Sequence, residues 1–305
     1  MSRIIVVGSS NTDMILRCDR LPKPGETVLG SRFSIAGGGK GANQAVAAAR
    51  LGADVTFVAR LGQDWMGDQA VASYRTEGIH CDYITRDDAV PSGVALIMVD
   101  SGAENFIGVA PGANATLLPE HIVQAEPAFR SAKVLLLQLE IPLETIAQAI
   151  ELADKWNVSV ILNPAPARDL PAELLRNVTL TPNQNEAAHL AGIHIATMAD
   201  VEDAAKRLLS RGVRTVIITL GEQGAFWATR TRMGTMPGFR VRAVDTTAAG
   251  DAFNAGLAVA QARGDDLELA VRYACAVGAL AVTQYGAQPS LPTISAVETF
   301  LRSQD

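Results

Sequence analysis

The segment VDTTAAGDAFNAGLA, Val244 to Ala258, holds the residue types for moving a charged group. A loop opens at Asp245, and the small residues Ala248, Ala249 and Gly250 lead into a helical pattern. The first N–H groups of a helix lack internal partners and lie at the positive end of its dipole. With only methyl groups and a hydrogen around them, an anionic oxygen can approach closely. Such a cradle can stabilise charge on a transferring phosphoryl group. Asp251 falls in the first turn, where a carboxylate could accept the proton of an attacking hydroxyl. The plain alternative is a first-turn acid favoured by the dipole.

Other polar residues fall where strands should end. In LTPNQNEAAHL, Asn183 sits at a helix start and Glu186 three residues on. That is a capping-box spacing, and it is also a way to organise magnesium and its waters near phosphates. In VIITLGEQGAFW a buried strand ends at Thr219, and Gly221 and Gly224 make a turn. Ligands in open α/β sheets bind outside the carboxyl ends of strands, so Thr219 and the Gly221 backbone could meet a nucleotide phosphate. A strand-to-strand turn needing glycine is the alternative. Asn11 and Asp13 follow the first strand and could hydrogen-bond vicinal hydroxyls, or form an Asx turn. Glu140 ends the apolar run LLLQLE, where burial without a partner is expensive.

The glycine-rich AGGGKGANQA, Ala36 to Ala45, resembles a phosphate loop but fails its rule. The opening glycine would be at position 34, which is Ser34, and the residue after Lys40 is Gly41 rather than Ser or Thr. Nor does G-x-G-x-x-G follow the first strand.

The elements that must position these residues alternate. Short apolar strands (RIIVV, VTFVA, KVLLLQL, VSVIL, RTVIIT) are separated by Ala- and Leu-rich helical patterns. Continuous apolar strands between helices predict a mostly parallel sheet covered on both faces, a three-layer α/β/α class. Two regions break the rhythm: Glu26 to Ala36, and Ser92 to Ala110 with a turn at Asp100-Ser101-Gly102. They read as a small antiparallel sheet inserted at two points, spanning about 12–36 and 92–110, able to act as a lid. An ordinary edge sheet is the alternative.

Composition narrows the partners. The chain has 305 residues, 48% hydrophobic, with 26 basic against 32 acidic side chains and net charge −6. No basic run is present, which argues against nucleic acid or an anionic membrane as main partner. No apolar stretch is long enough to span a bilayer, and the start lacks a signal-peptide pattern. Three scattered cysteines, Cys18, Cys81 and Cys275, argue against a disulfide framework and for a reducing cytoplasm. The four histidines show no metal-ligand spacing.

Taken together, GGGKGANQAVAAARLGA, LQLEIPLE, LNPAPARDLP, TPNQNEA, ITLGEQGA, VDTTAAGDAFNAG and GAQPSLP make the chain resemble the ribokinase-like family of carbohydrate kinases over essentially its whole length. The resemblance implies ATP-dependent phosphoryl transfer to a sugar hydroxyl, with Asp251 as base and the amides of Ala249, Gly250 and Asp251 as anion hole. It implies sugar contacts from Asn11, Asp13, Gly39, Lys40, Asn43 and Glu140, with Ile107 of the lid as a shield. Asn183 and Glu186 match the magnesium–phosphate segment, and Thr219, Gly221 and Gly224 the nucleotide side. Asp245, Thr247, Gly286 and Ser290 match loops that hold an activating potassium ion. A homodimer through the lid is also implied. Relatives often carry Gly at the place of Ala248, and Cys275 falls in a region that borders the adenine. Ribose leads as acceptor; deoxyribose, another furanose or a nucleoside are the alternatives. From other classes, a nucleotide-dependent oxidoreductase conflicts with the missing G-x-G-x-x-G, and a silent sugar sensor conflicts with the intact AAGD.

Overall fold

The computed structural model describes residues 2–102 and 104–304. Thirteen strands are described among them. They are β1 (Arg3–Val7), β2 (Asn11–Cys18), β3 (Gly30–Gly38), β4 (Asp54–Gly62), β5 (His80–Asp87), β6 (Gly93–Val99), β7 (Asn105–Ala110), β8 (Val134–Leu137), β9 (Ser159–Leu162), β10 (Thr179–Leu180), β11 (Thr215–Thr219), β12 (Ala225–Thr229) and β13 (Met233–Met236).

Nine strands form one sheet in the order β13-β12-β11-β10-β9-β8-β1-β4-β5. Pairings from β5 to β11 are parallel, and β12 and β13 are added antiparallel at one edge. The apolar strands alternate their side chains between two cores. Ile4, Val6, Leu136 and Ile161 pack beneath helices Lys40–Arg50, Ala249–Arg263 and Leu267–Ala281. Ile5, Val7, Leu135 and Leu137 pack on the other face with helices Leu143–Lys155 and Met198–Ser210. Each such side chain taken fully out of water contributes about 1.5–3 kcal/mol, which is why these strands read as unbroken apolar runs.

A second sheet, β3-β2-β6-β7, stands apart from the first. Two antiparallel pairs, β2–β3 and β6–β7, meet along a parallel pairing of β2 with β6. The turn between β6 and β7 is tied by Gly102 N–H to Asp100 Oδ1 at 2.8 Å, as the Asp-Ser-Gly signal predicts. Two boundaries differ from the sequence reading. Asn11 and Asp13 do not sit in a turn; they open β2, because only Gly8–Ser10 separate the two sheets. β3 starts at Gly30, and Glu26 is instead held in the preceding loop by Arg20 and by Lys23 N–H. Among the described residues no helix is long and apolar enough to cross a membrane.

Candidate active site

The carboxyl ends of β9, β10 and β11 converge on one cavity of about 200 Å³. Its lining includes Lys40, Asn163, Asn183, Glu186, Thr219 and Asp251. This is the end at which an open α/β sheet leaves room for ligands.

Asp251 lies in the first turn of Ala249–Arg263 and is buried. Asn43 Nδ2 donates to its Oδ2 at 3.0 Å, and Gln44 Nε2 donates to its Oδ1 at 3.0 Å. Burial pushes its carboxyl up; Lys40, Asn43 and Gln44 oppose the shift and Glu140 adds to it, with a net rise. For a base that must take a hydroxyl proton, a raised pKa is the useful direction. Lys40 has the converse balance. Burial alone would lower its ammonium, but the carboxylates of Asp251, Glu140 and Glu186 outweigh that and the net shift is upward. The cavity therefore keeps a cation beside the Asp251 carboxylate.

The helix start departs from ordinary capping. Ala248, its cap, has φ 60° and no side-chain acceptor. No Ser, Thr or Asp competes for the first amides. The Ala249 N–H donates to Thr246 O at 3.2 Å, so this amide is partly engaged. Gly250 and Asp251 are at positions whose N–H groups have no acceptor within the helix, and the space above Gly250 is open.

The glycine-rich segment is a close-packed joint. Gly39 has φ 85°, and a Cβ there would come within 2.8 Å of Asn11 N. At Gly41 a Cβ would lie 2.5 Å from Ser9 N. Without side chains, the start of helix Lys40–Arg50 is laid directly on the end of β1. The Lys40 N–H then donates to Glu140 Oε2 at 3.0 Å, and Ser9 Oγ donates to the same oxygen. Asp13 lies on β2 beside this group. Burial and the Glu140 charge push its carboxyl up to about 6. Asn11 accepts from Asn114 Nδ2 at 2.7 Å. Asn11, Asp13, Gly39, Lys40, Asn43 and Glu140 thus form one connected group next to Asp251, under the small sheet. Ile107 is on the same face of that sheet as Asp13, by the registers Ile15–Ile97–Ile107 and Asp13–Ala95–Val109. It is exposed and does not line the cavity.

Asn183 and Glu186 close a reciprocal capping box, with Asn183 N–H to Glu186 Oε2 and Glu186 N–H to Asn183 Oδ1, both at 2.8 Å. Both also line the cavity, so the capping and ligand readings coincide. Burial raises the Glu186 carboxyl; Lys40 and the Asn183 N–H oppose it. Thr219 lines the cavity, whereas Gly221 (φ 61°) and Gly224 (φ 94°) shape the turn into β12 and do not. At Gly224 a Cβ would meet Met236 O at 2.1 Å.

Asp245, Thr247 and Gly286 meet in one loop cluster. Thr247 Oγ1 and N–H donate to Asp245 Oδ1 at 2.6 and 2.9 Å, and Gly286 N–H donates to Oδ2 at 2.9 Å. Burial pushes the Asp245 carboxyl up, but these bonds and the Arg17 charge outweigh it, with a net fall. Ser290 is buried in the same loop, its hydroxyl on Ala287 O at 2.8 Å. Cys275 belongs to the core under Leu267–Ala281 rather than to the cavity, and burial pushes its thiol up to about 12.

Sequence reasoning missed Ser9, Gln44, Asn114, Gln138, Asn163, Thr181 and Asn254, all buried polar residues around the site. Amides inside helices and at strand ends give no spacing signal. Only the cost of burying them, visible once the fold is known, marks them.

The pfkB family carbohydrate kinase model matches residues 1–294. Ribokinase of Haemophilus influenzae is 41% identical, over 98% of each chain. Deoxyribokinase of Salmonella typhi is 38% identical, again over 98% of each chain. A solved structure of Arabidopsis thaliana ribokinase complexed with ribose and ATP superposes with a TM-score of 0.94 at 34% identity, covering 99% of each chain. Family model, relatives and superposition agree over nearly the whole length, and the chain belongs to the pfkB family of carbohydrate kinases.

Proposed function

We propose that this protein transfers the γ-phosphoryl group of ATP to the 5-hydroxyl of D-ribose, giving ribose 5-phosphate and ADP. The observation that carries the reading is the buried Asp251 at an uncapped helix start, bonded to Asn43 and adjoining the polar group under the small sheet. The sugar would be held by Asn11, Asp13, Gly39, Lys40, Asn43 and Glu140, with Ile107 at the rim of the lid. As the hydroxyl attacks, its O–H bond breaks and the proton passes to Asp251. The new O–P bond forms while the bond from the γ-phosphorus to its bridging oxygen breaks. Holding both reactants in line removes entropy from the step. The Gly250 and Asp251 amides, with Ala249, would take up charge on the phosphoryl oxygens, with Lys40 beside them. The nucleotide side would be Asn183, Thr219, Gly221 and Gly224. The small sheet, as a lid over a single kinase domain, would exclude competing water.

Two metals fit the donor types present. Asn183 and Glu186 offer oxygens on the cavity wall suited to magnesium held through waters. Asp245, Thr247 and Gly286 offer carboxylate, hydroxyl and backbone oxygens in one loop cluster, with Ser290 in the segment that follows Gly286, a hard donor set suited to potassium. When bound, magnesium neutralises charge on the phosphate oxygens.

Deoxyribose is the second reading, favoured by the similar identity to the deoxyribokinase. A lid-to-lid homodimer in the cytoplasm completes the proposal. Three free cysteines and an exposed apolar lid face support it.

ADP release over ribose, 2-deoxyribose, arabinose, xylose, fructose and adenosine, with and without potassium, tests the assignment. Ribose should lead, and silence on every pentose would overturn it. Asp251→Asn should fold normally and lose turnover by about 10²–10⁴, the range for a general base. Near-normal turnover would remove Asp251 from that role.

A further inference from the structure

We propose that Gln44, itself set by Gln138, is a positioning residue for Asp251. The buried amide chain Gln138 to Gln44 to Asp251 fixes the carboxylate's orientation and favours its ionised form. This rests on the reading of Asp251 as the base.

Gln44 and Gln138 are both wholly buried. Gln44 Nε2 donates to Asp251 Oδ1 at 3.0 Å and approaches Asn163 Oδ1 at 3.4 Å. Its Oε1 accepts from Gln138 Nε2 at 2.7 Å. Every edge of the Gln44 amide is therefore matched. Asn163 is fixed in turn, donating through Nδ2 to Thr181 O at 3.1 Å.

A side-chain amide keeps its shape when turned over, so neighbours decide which edge donates. An ionised carboxylate only accepts. Gln44 must then offer Asp251 its NH₂ edge, its carbonyl must face Gln138, and Gln138 must offer its own NH₂. The far end of the chain shows the consequence. Gln138 Oε1 is buried without a partner. It stands 2.1 Å from where a Cβ on Gly8 would be, so the missing side chain at the end of β1 makes room for it. An unpaired buried acceptor is costly. The chain tolerates it because its direction is set at the carboxylate end. If Asp251 takes a proton on Oδ1, that O–H becomes a donor and the favoured direction of both amides reverses. The chain therefore distinguishes the two states of the base. Lys40, Glu140 and Glu186 are the charged groups around Asp251, and none of them is part of this chain.

Gln44→Met and Gln138→Met keep volume while deleting the bonds. With ribose, ATP and magnesium, Gln44→Met should lower kcat roughly 10- to 100-fold, as expected for a bond to a charged group. Gln138→Met should lower it less, and KM for ribose should stay within about twofold in both. The acid limb of the kcat–pH profile should move up by about one pH unit in Gln44→Met, since a donor to the charged form is lost. Lower melting temperatures with wild-type kcat and an unmoved acid limb would overturn the relay. Should Gln44→Met not fold, Gln138→Met, which removes nothing from Asp251 directly, decides by the same limb. Asp251→Asn separates the two readings. If it is inactive while both Gln variants keep the wild-type limb, the relay alone fails; if it turns over normally, the base assignment fails first.

Discussion

Asp13 joins function and stability in opposite senses. Its carboxyl is raised to about 6 in the folded chain, against an ordinary 3.8, by burial and by Glu140. Between those values the folded state binds more protons than the unfolded state. Stability is therefore highest below the unfolded value and falls as pH rises through the folded one. Asp13→Asn should raise stability at pH 7–8 by about 1–2 kcal/mol after allowing for partial solvent screening. It should also remove an acceptor for sugar hydroxyls. Denaturant titrations at pH 5 and pH 8, set beside KM for ribose, check this; equal stability of both proteins at pH 8 would contradict it. In the wild type, KM for the sugar should climb as pH drops below about 6, because a protonated Asp13 accepts less well.

At the scale of elements, the joint between β3 and helix Lys40–Arg50 decides whether the site assembles. Gly39→Ala would force a Cβ into the β1–β2 turn at a left-handed backbone position. A loss of about 1–3 kcal/mol of stability is expected. The helix start would also shift, carrying Lys40 off Glu140 and Asn43 off Asp251. Sugar affinity should fall more than ATP affinity, and calorimetry with each ligand separately reads the split. This joint also explains what the sequence disclosed. The buried strands and the Asp-Ser-Gly turn were legible because each is a local pattern. AGGGKGANQA was legible as a special backbone, but its purpose was not, since Gly39 and Gly41 answer to Ser9, Ser10 and Asn11, some thirty residues earlier. Apart from Asn11, β2 falls inside the segment of about 12–36 read as part of the small sheet, but it was not legible as a strand of its own, for a related reason. Its opening residues Asn11 and Asp13 share the face toward the site, and Thr12 on the opposite face is polar too, so the period-two signal fails there.

On the whole molecule, the small sheet carries an apolar face on the side away from Asp13. Phe33, Ile35, Leu96 and Phe106 share that face by register and are 58%, 46%, 59% and 58% exposed. β7, at the sheet edge, is exposed along its full length. An exposed apolar face beside an open edge is an association surface. Covering by a second lid is the proposed arrangement. Phe33→Glu with Leu96→Glu should convert a dimeric mass to a monomeric one by light scattering and raise KM for ribose as the lid loses support. An unchanged mass in the double variant would refute lid pairing, as would a monomeric wild type at working concentration.

The hydrogen bond from Asn43 to Asp251 closes a separation of 208 residues. During synthesis the amino-terminal part, with Asn11, Asp13, Gly39 and Lys40, emerges long before the helix that carries the carboxylate. The contact forms where Ala249–Arg263 packs against Lys40–Arg50, and closing a loop of this length carries an entropy cost. A growing chain thus carries these residues of the proposed sugar site before the proposed proton acceptor. Because burial itself lifts the Asp251 pKa, the proposed base acquires its raised pKa only in the finished core, and a nascent or partly unfolded chain lacks the proposed centre.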